Sequence, residues 1–128
     1  MRLLLSLSLA VIFLSSPAFG KEKPGEVDFL EDVRPILAGK CFPCHGPDKA
    51  KRKSGLRLDT AGGIFSKRKS GHRVVVPGDS ASSLLIERVA TSDADELMPP
   101  VDSELALSPG QVDILRRWVA SGAQWKEH

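Results

Sequence analysis

The sequence has no tyrosine, and its phenylalanines and tryptophans total seven in 128 residues. A chain so poor in aromatics builds a thin core unless something else fills it. Two cysteines are too few for a disulfide scaffold. A net charge of +2 is too small to mark a nucleic-acid binder. Internal repeats, a phosphate-cradling glycine loop and a Ser-His-Asp arrangement are also lacking. Charged residues make up 27% and hydrophobic ones 41%, a balance that excludes wholesale disorder. The length allows one domain and hardly two.

The first twenty residues read as a secretory signal peptide. Arg2 is their one charge, Leu3 to Leu14 is apolar apart from Ser6 and Ser8, and Pro17-Ala18-Phe19-Gly20 offers a cleavage site after Gly20. The alternative is a membrane anchor, but an apolar run of about twelve falls short of the roughly 20 residues of a span. No stable membrane span is expected. The chain that remains, residues 21–128, is expected to be one domain with a core at about 27–125, exported to the periplasm or secreted.

Export makes a lone cysteine pair read first as a disulfide. Here the pair is Cys41-Phe42-Pro43-Cys44, followed at once by His45. C-x-x-C-H is the signature of covalent c-type haem attachment. Each thiol forms a thioether to one vinyl group on the same porphyrin edge, and two intervening residues match the spacing of those vinyls. The next residue then lies under the iron, where an imidazole nitrogen binds axially. Three other readings compete. A thioredoxin-like pair needs a preceding strand, whereas the segment before Cys41 reads as helix. A zinc site needs further ligands, and the other histidines are only His72 and His128. A disulfide between Cys41 and Cys44 closes so small a loop that it stabilises little.

A sixth iron ligand has to come from elsewhere. Past the signal segment the one methionine is Met98, in Glu96-Leu97-Met98-Pro99-Pro100. Two prolines make a stiff, extended strap that holds a flexible thioether without a helix or sheet around it. The competing role for Met98 is filling a gap in the core. His72 is the alternative ligand, in a basic stretch that reads as a solvated loop; His128 is terminal.

With these residues in view, the chain resembles the planctomycete-type cytochrome c domain. The resemblance rests on Val27-Asp28-Phe29, Val33-Arg34-Pro35-Ile36-Leu37, Cys41-Phe42-Pro43-Cys44-His45-Gly46-Pro47-Asp48 and Lys53-Ser54-Gly55-Leu56-Arg57-Leu58-Asp59. It continues through Val76-Pro77-Gly78-Asp79, Ser83-Leu84-Leu85, Leu97-Met98-Pro99-Pro100, Trp118 and Gly122-Ala123-Gln124-Trp125. It implies a small helical cytochrome c fold around one covalent haem c, with attachment and axial positions at Cys41, Cys44, His45 and Met98. Such domains often stand at the N-terminus of a much larger secreted protein.

Local patterns predict a mainly α fold with long irregular loops. Phe29, Val33, Ile36 and Leu37 share one face of a helix over Asp28–Ala38, kinked by Pro35 and ended by Gly39. A second helix is expected over Ala81–Ala90, with Asp79 and Ser80 as N-cap candidates. The third has Ser108 as N-cap, Pro109 at the first helical position, Gln111 completing a capping box and Gly122 at the C-cap. Val112, Leu115 and Val119 form its inner face, flanked by Ile114 and Trp118.

The near-zero net charge conceals an asymmetry. Residues 49–73 carry nine basic side chains against Asp59, and residues 79–113 carry eight acidic ones against Arg88. A charge run is commonly a solvated face. As a functional element the basic segment 49–73 would dock a redox protein partner, or neutralise haem propionates. The expected activity is one-electron transfer by a monomeric monohaem cytochrome, not catalysis. The alternatives are the haem-bearing module or fragment of a larger secreted enzyme, and a non-haem binding module with a Cys41–Cys44 disulfide.

Overall fold

Asp28 starts the first helical segment. Its backbone is extended and its carboxylate accepts hydrogen bonds from the N–H groups of Leu30 (2.8 Å) and Glu31 (3.0 Å). This N-cap satisfies donors that the helix itself leaves unpaired. The computed structural model describes residues 25–127, so the signal segment read at residues 1–20 and His128 lie outside the described residues. The architecture is helical as expected, with no strand among the described residues and one isolated antiparallel bridge between Lys67 and Arg73.

The helix expected over Asp28–Ala38 is a composite. A wide π-turn, Phe29–Val33, runs into α1, Arg34–Lys40. Pro35 stands in the first turn of α1, where a missing N–H costs no intrahelical bond. The disturbance expected at the proline thus lies just before it, as a change of winding. The expected apolar face is correct: Phe29, Val33, Ile36 and Leu37 are all buried. Gly39 does not end the helix. α1 continues to Lys40 and is capped by Cys41, whose N–H donates to the Leu37 carbonyl (2.9 Å), and α2, Phe42–His45, follows at once.

Between the haem-type motif and the second expected helix lies a short helix that the sequence pattern did not predict. This α3, Ala61–Ile64, is capped by Thr60, whose hydroxyl accepts from the Gly63 N–H (3.1 Å). Gly63 is obligatory for a packing reason: a Cβ there would sit 1.9 Å from the Arg57 carbonyl oxygen. α4, Leu84–Ala90, begins three residues later than expected. The serine at its start is the cause. Ser83 is buried, its hydroxyl donating to the Asp79 carbonyl (2.7 Å) and accepting from the Val76 N–H (2.8 Å). Residues 79–83 are therefore a turn stapled to Val76 and cannot wind into the helix.

α5, Pro109–Ala120, follows expectation closely. Ser108 and Gln111 form the capping box, with bonds of 3.2 and 3.0 Å. At the other end Gly122 has φ +113, its N–H donates to Val119 and that of Ala123 to Trp118, the two bonds of a Schellman ending. Trp118 is in the core and not on its flank: it is 1% exposed, and its indole N–H donates to the Gln124 carbonyl (2.9 Å). Phe29 lies 5.7 Å from Trp118 and 4.6 Å from Trp125 between ring centroids, and Trp125 meets Phe65 edge-on at 6.4 Å. Four of the seven aromatics thus lock the first helical segment onto the last.

Replacing Ser83 with alanine leaves the partly buried Val76 N–H without its Ser83 acceptor. The expected cost is about 1–3 kcal/mol, read as a lowered melting temperature. The exposed cap change Ser108→Ala should cost about 1 kcal/mol. A Ser83→Ala protein that melts with the wild type would show that the staple is dispensable.

Candidate functional site

The short helix α2 carries Cys44 and His45, and Cys41 is its N-cap. A four-residue helix is marginal alone, so its shape depends on what its free carbonyls meet. Residues 52–58 supply the partners. The Lys53 N–H donates to the Cys44 carbonyl and the Leu58 N–H to the His45 carbonyl, both at 2.8 Å. The Arg52 guanidinium donates to the carbonyls of Gly46 (3.0 Å) and Pro47 (3.1 Å). All four carbonyls leaving the motif are therefore held. Gly46 ends α2 where a Cβ would approach the Phe42 carbonyl oxygen to 2.4 Å, so the chain can only fold back here without a side chain.

His45 is half-buried, and its Nδ1 lies 3.2 Å from the Lys53 carbonyl. A carbonyl only accepts, so Nδ1 carries the proton and the neutral ring has its lone pair on Nε2. Burial lowers the pKa of the imidazole and the Arg68 cation nearby adds to this, against the Lys53 bond that raises it. The ring is thus held neutral, with one nitrogen oriented and the other available, the arrangement metal-bound histidines have. Burial, with the neighbouring Cys44, pushes the Cys41 thiol up to about 12. Both cysteines are free, so the disulfide of the third sequence reading is not formed.

Cys41, Cys44, His45 and Met98 line one cavity of about 700 Å³, within the roughly 300–1,000 Å³ of cofactor clefts. Its walls are largely apolar, with Leu58, Val74, Leu85 and Val89 behind the motif, and Pro99 beside Met98. Lys40, Lys67, Arg68 and Lys69 also line it. Met98 is 36% exposed, which does not suit a core gap-filler. His72, the alternative ligand, is exposed on a turn where its carbonyl accepts the Arg68 N–H (2.8 Å), and it is not among the residues lining the cavity. Two thiols, an imidazole and a thioether on one apolar cavity with a basic edge fit a covalently held, carboxylate-bearing haem. Residues 41–102 match the planctomycete cytochrome C family. Those residues carry a planctomycete-type cytochrome c domain.

The domain is also 26% identical, over 129 residues, to the hydrazine synthase subunit alpha of Kuenenia stuttgartiensis. That similarity covers 81% of this chain but 16% of the relative, so the chain spans about a sixth of its length. No solved structure matches. No helix among the described residues is long and apolar enough to cross a membrane.

The basic segment of this cytochrome domain divides by residue type. Its arginines are structural. Arg52 holds the motif, Arg57 pairs with Asp59 through two bonds (3.0 and 2.5 Å), Arg68 donates to the Ser54 carbonyl (2.6 Å) and Arg73 to that of Phe65 (3.1 Å). Lys67 and Lys69, both exposed, stand at the cavity. Sequence reasoning missed Lys40 at the cavity and the Lys53 carbonyl under His45. The second acts through its backbone, so its side chain gave no signal.

Gly46→Ala forces the Phe42 carbonyl, and with it α2, to move. The expected loss is about 1–3 kcal/mol, as for other overpacked sites, with lower yield of folded protein. An unchanged melt and absorption spectrum in Gly46→Ala would show that the turn relaxes freely.

Proposed function

We propose that the chain is an exported monohaem c-type cytochrome that transfers single electrons. Cys41 and Cys44 hold one haem c through thioethers, and His45 and Met98 take its two axial positions. The observation that carries this reading is the shared cavity: the residues singled out by spacing, 53 positions apart in the chain at their widest step, come together around one apolar space. When bound, haem c supplies a one-electron iron couple. The chain's part is to orient His45 through Lys53, to exclude water with Leu58, Val74, Leu85 and Val89, and to occupy both faces of the iron. Occupied faces favour electron transfer over chemistry on oxygen, and a methionine ligand raises the potential relative to two histidines.

Lys40, Lys67 and Lys69 give a docking surface for an acidic redox protein, with the docked partner close to the cavity. A second reading has a specific support. The relative is an enzyme subunit about six times longer than the matched segment, so the domain can serve as the haem-bearing module of a larger secreted enzyme. A continuation of the coding sequence beyond His128 would favour that reading.

Attachment is tested by haem stain and mass of denatured protein. Wild-type chain should keep colour, Cys41→Ala should retain at most one thioether, and Cys41→Ala with Cys44→Ala should retain none. Covalent haem at the normal level in the double variant would overturn the assignment. The Met98 ligand has its own test. Met98→Ala, shown to be folded, should give a high-spin or water-ligated ferric spectrum, faster cyanide binding and a lower potential, while His72→Ala changes none of these. The reverse pattern would establish His72 and dismiss Met98. Folding has to be shown because removing the Met98 side chain also strips apolar contact area from the cavity wall.

A further inference from the structure

The strap that carries Met98 is stiff on one side only. Pro99 and Pro100 restrict the backbone after it, whereas the five residues before it, from Asp93 to Leu97, contain no proline and are mostly exposed. A methionine side chain with three rotors adds no rigidity of its own. The Glu96 and Leu97 N–H groups donate to the Asp93 carbonyl (3.1 and 3.0 Å), which shapes this side as a turn, and residue 88 ties that turn to α4. The Met98 N–H donates to the Arg88 carbonyl (2.8 Å) at the end of α4. The Arg88 guanidinium reaches across to Glu96, pairing with its carboxylate and lying 3.5 Å from its carbonyl oxygen. One residue therefore grips the strap on both sides of Leu97, with main chain and side chain. Arg88 is also the one cation between Asp79 and Asp113, and it lines the same cavity as Met98.

We infer that Arg88 is a positioning residue for Met98: with Glu96 it clamps the strap so that the thioether stays at the iron. The inference rests on the reading of Met98 as axial ligand. The side chains of Arg88 and Glu96 are 36% and 52% exposed. An exposed pair contributes little to global stability, so losing it frees the strap without unfolding the domain. One guanidinium nitrogen, Nη1, faces both carboxylate and carbonyl, held there by a stiffer head group than a lysine ammonium on a flexible stem.

The test uses haem-loaded protein and three readouts: the ferric ligand-field spectrum, the rate of cyanide binding and the melting curve. Arg88→Ala should bind cyanide faster by roughly two- to fivefold, the scale of an exposed ion pair, with a weakened ligand-field band and a nearly unchanged melt. Glu96→Gln, at an exposed position, should behave alike and serves where Arg88→Ala folds poorly. The double variant should go no further than either single one, and Arg88→Lys should fall between. High salt should move the wild type in the same direction and the variants little. Wild-type cyanide rates in both single variants, or additive effects in the double variant, would overturn the clamp. If Met98→Ala itself leaves spectrum and rate unchanged, the ligand assignment falls and the clamp with it. If Met98→Ala alters both and the Arg88 and Glu96 variants alter neither, only the clamp falls.

Discussion

Phe29 sits between Trp118 and Trp125, and the path of the whole chain depends on that contact. The helices are short: α5 has twelve residues, α1 and α4 seven each, and α2 and α3 four. Isolated helices below about 12–15 residues are marginal in water, so only tertiary packing keeps these formed. The aromatic cluster supplies it where the first helical segment meets α5. From there α1 runs directly into α2 and delivers Cys41, Cys44 and His45 to the cavity. The same feature explains how the five aromatics among the described residues suffice. Four of them form this lock, and the cavity is walled by aliphatic side chains that a flat, apolar group would pack against.

The parts of the fold that were legible in the sequence are those written in local chemistry. Ser108, Pro109, Gln111 and Gly122 are each required by a helix end, and α5 has the ends they foretell. The apolar face of Phe29, Val33, Ile36 and Leu37 is likewise a local periodicity that burial preserves. Where the reading failed, a distant or backbone partner decided. The local pattern puts Ser83 inside a helix with Asp79 or Ser80 as cap, but its hydroxyl goes to Val76 and Asp79, and α4 starts after it. Gly39 looks like a stop and sits inside α1, while Gly46 and Gly63 matter because carbonyls four and six residues away crowd them. Trp118 could be placed on its helix from the sequence, but its burial depends on Phe29, 89 positions earlier.

The candidate site was more legible than the fold around it. C-x-x-C-H singles out three residues and the one methionine past residue 20 offers a fourth, and these four line one cavity. What the sequence could not show is how the turn is supported. The carbonyls of Cys44, His45, Gly46 and Pro47 are met by Lys53, Leu58 and Arg52, two of them through backbone N–H groups. The basic run 49–73 was misleading as a unit for the same reason. Its charge count treats arginine and lysine alike, yet the folded chain uses Arg52, Arg57, Arg68 and Arg73 as hydrogen-bonding braces and leaves Lys67 and Lys69 at the cavity. The difference follows from the guanidinium fork, which can satisfy carbonyls in two directions, against the compact and strongly hydrated ammonium.

That division bears on how the two halves of the site differ. The histidine side is built from bonds over short sequence distances: the Lys53 carbonyl, eight residues on, meets the His45 ring, the Lys53 N–H is tied to Cys44, and the Arg52 side chain holds Gly46. The methionine side is tied to α4 by one backbone bond at Met98 and one exposed ion pair at Glu96. Bonds between backbone groups carry no net charge for salt to screen, whereas an exposed ion pair is screened within about 10 Å at 0.1 M ionic strength. The two sides of the cavity are therefore tied down differently, the His45 side by bonds within residues 44–58 and the Met98 side to α4 by a backbone bond and an ion pair open to salt.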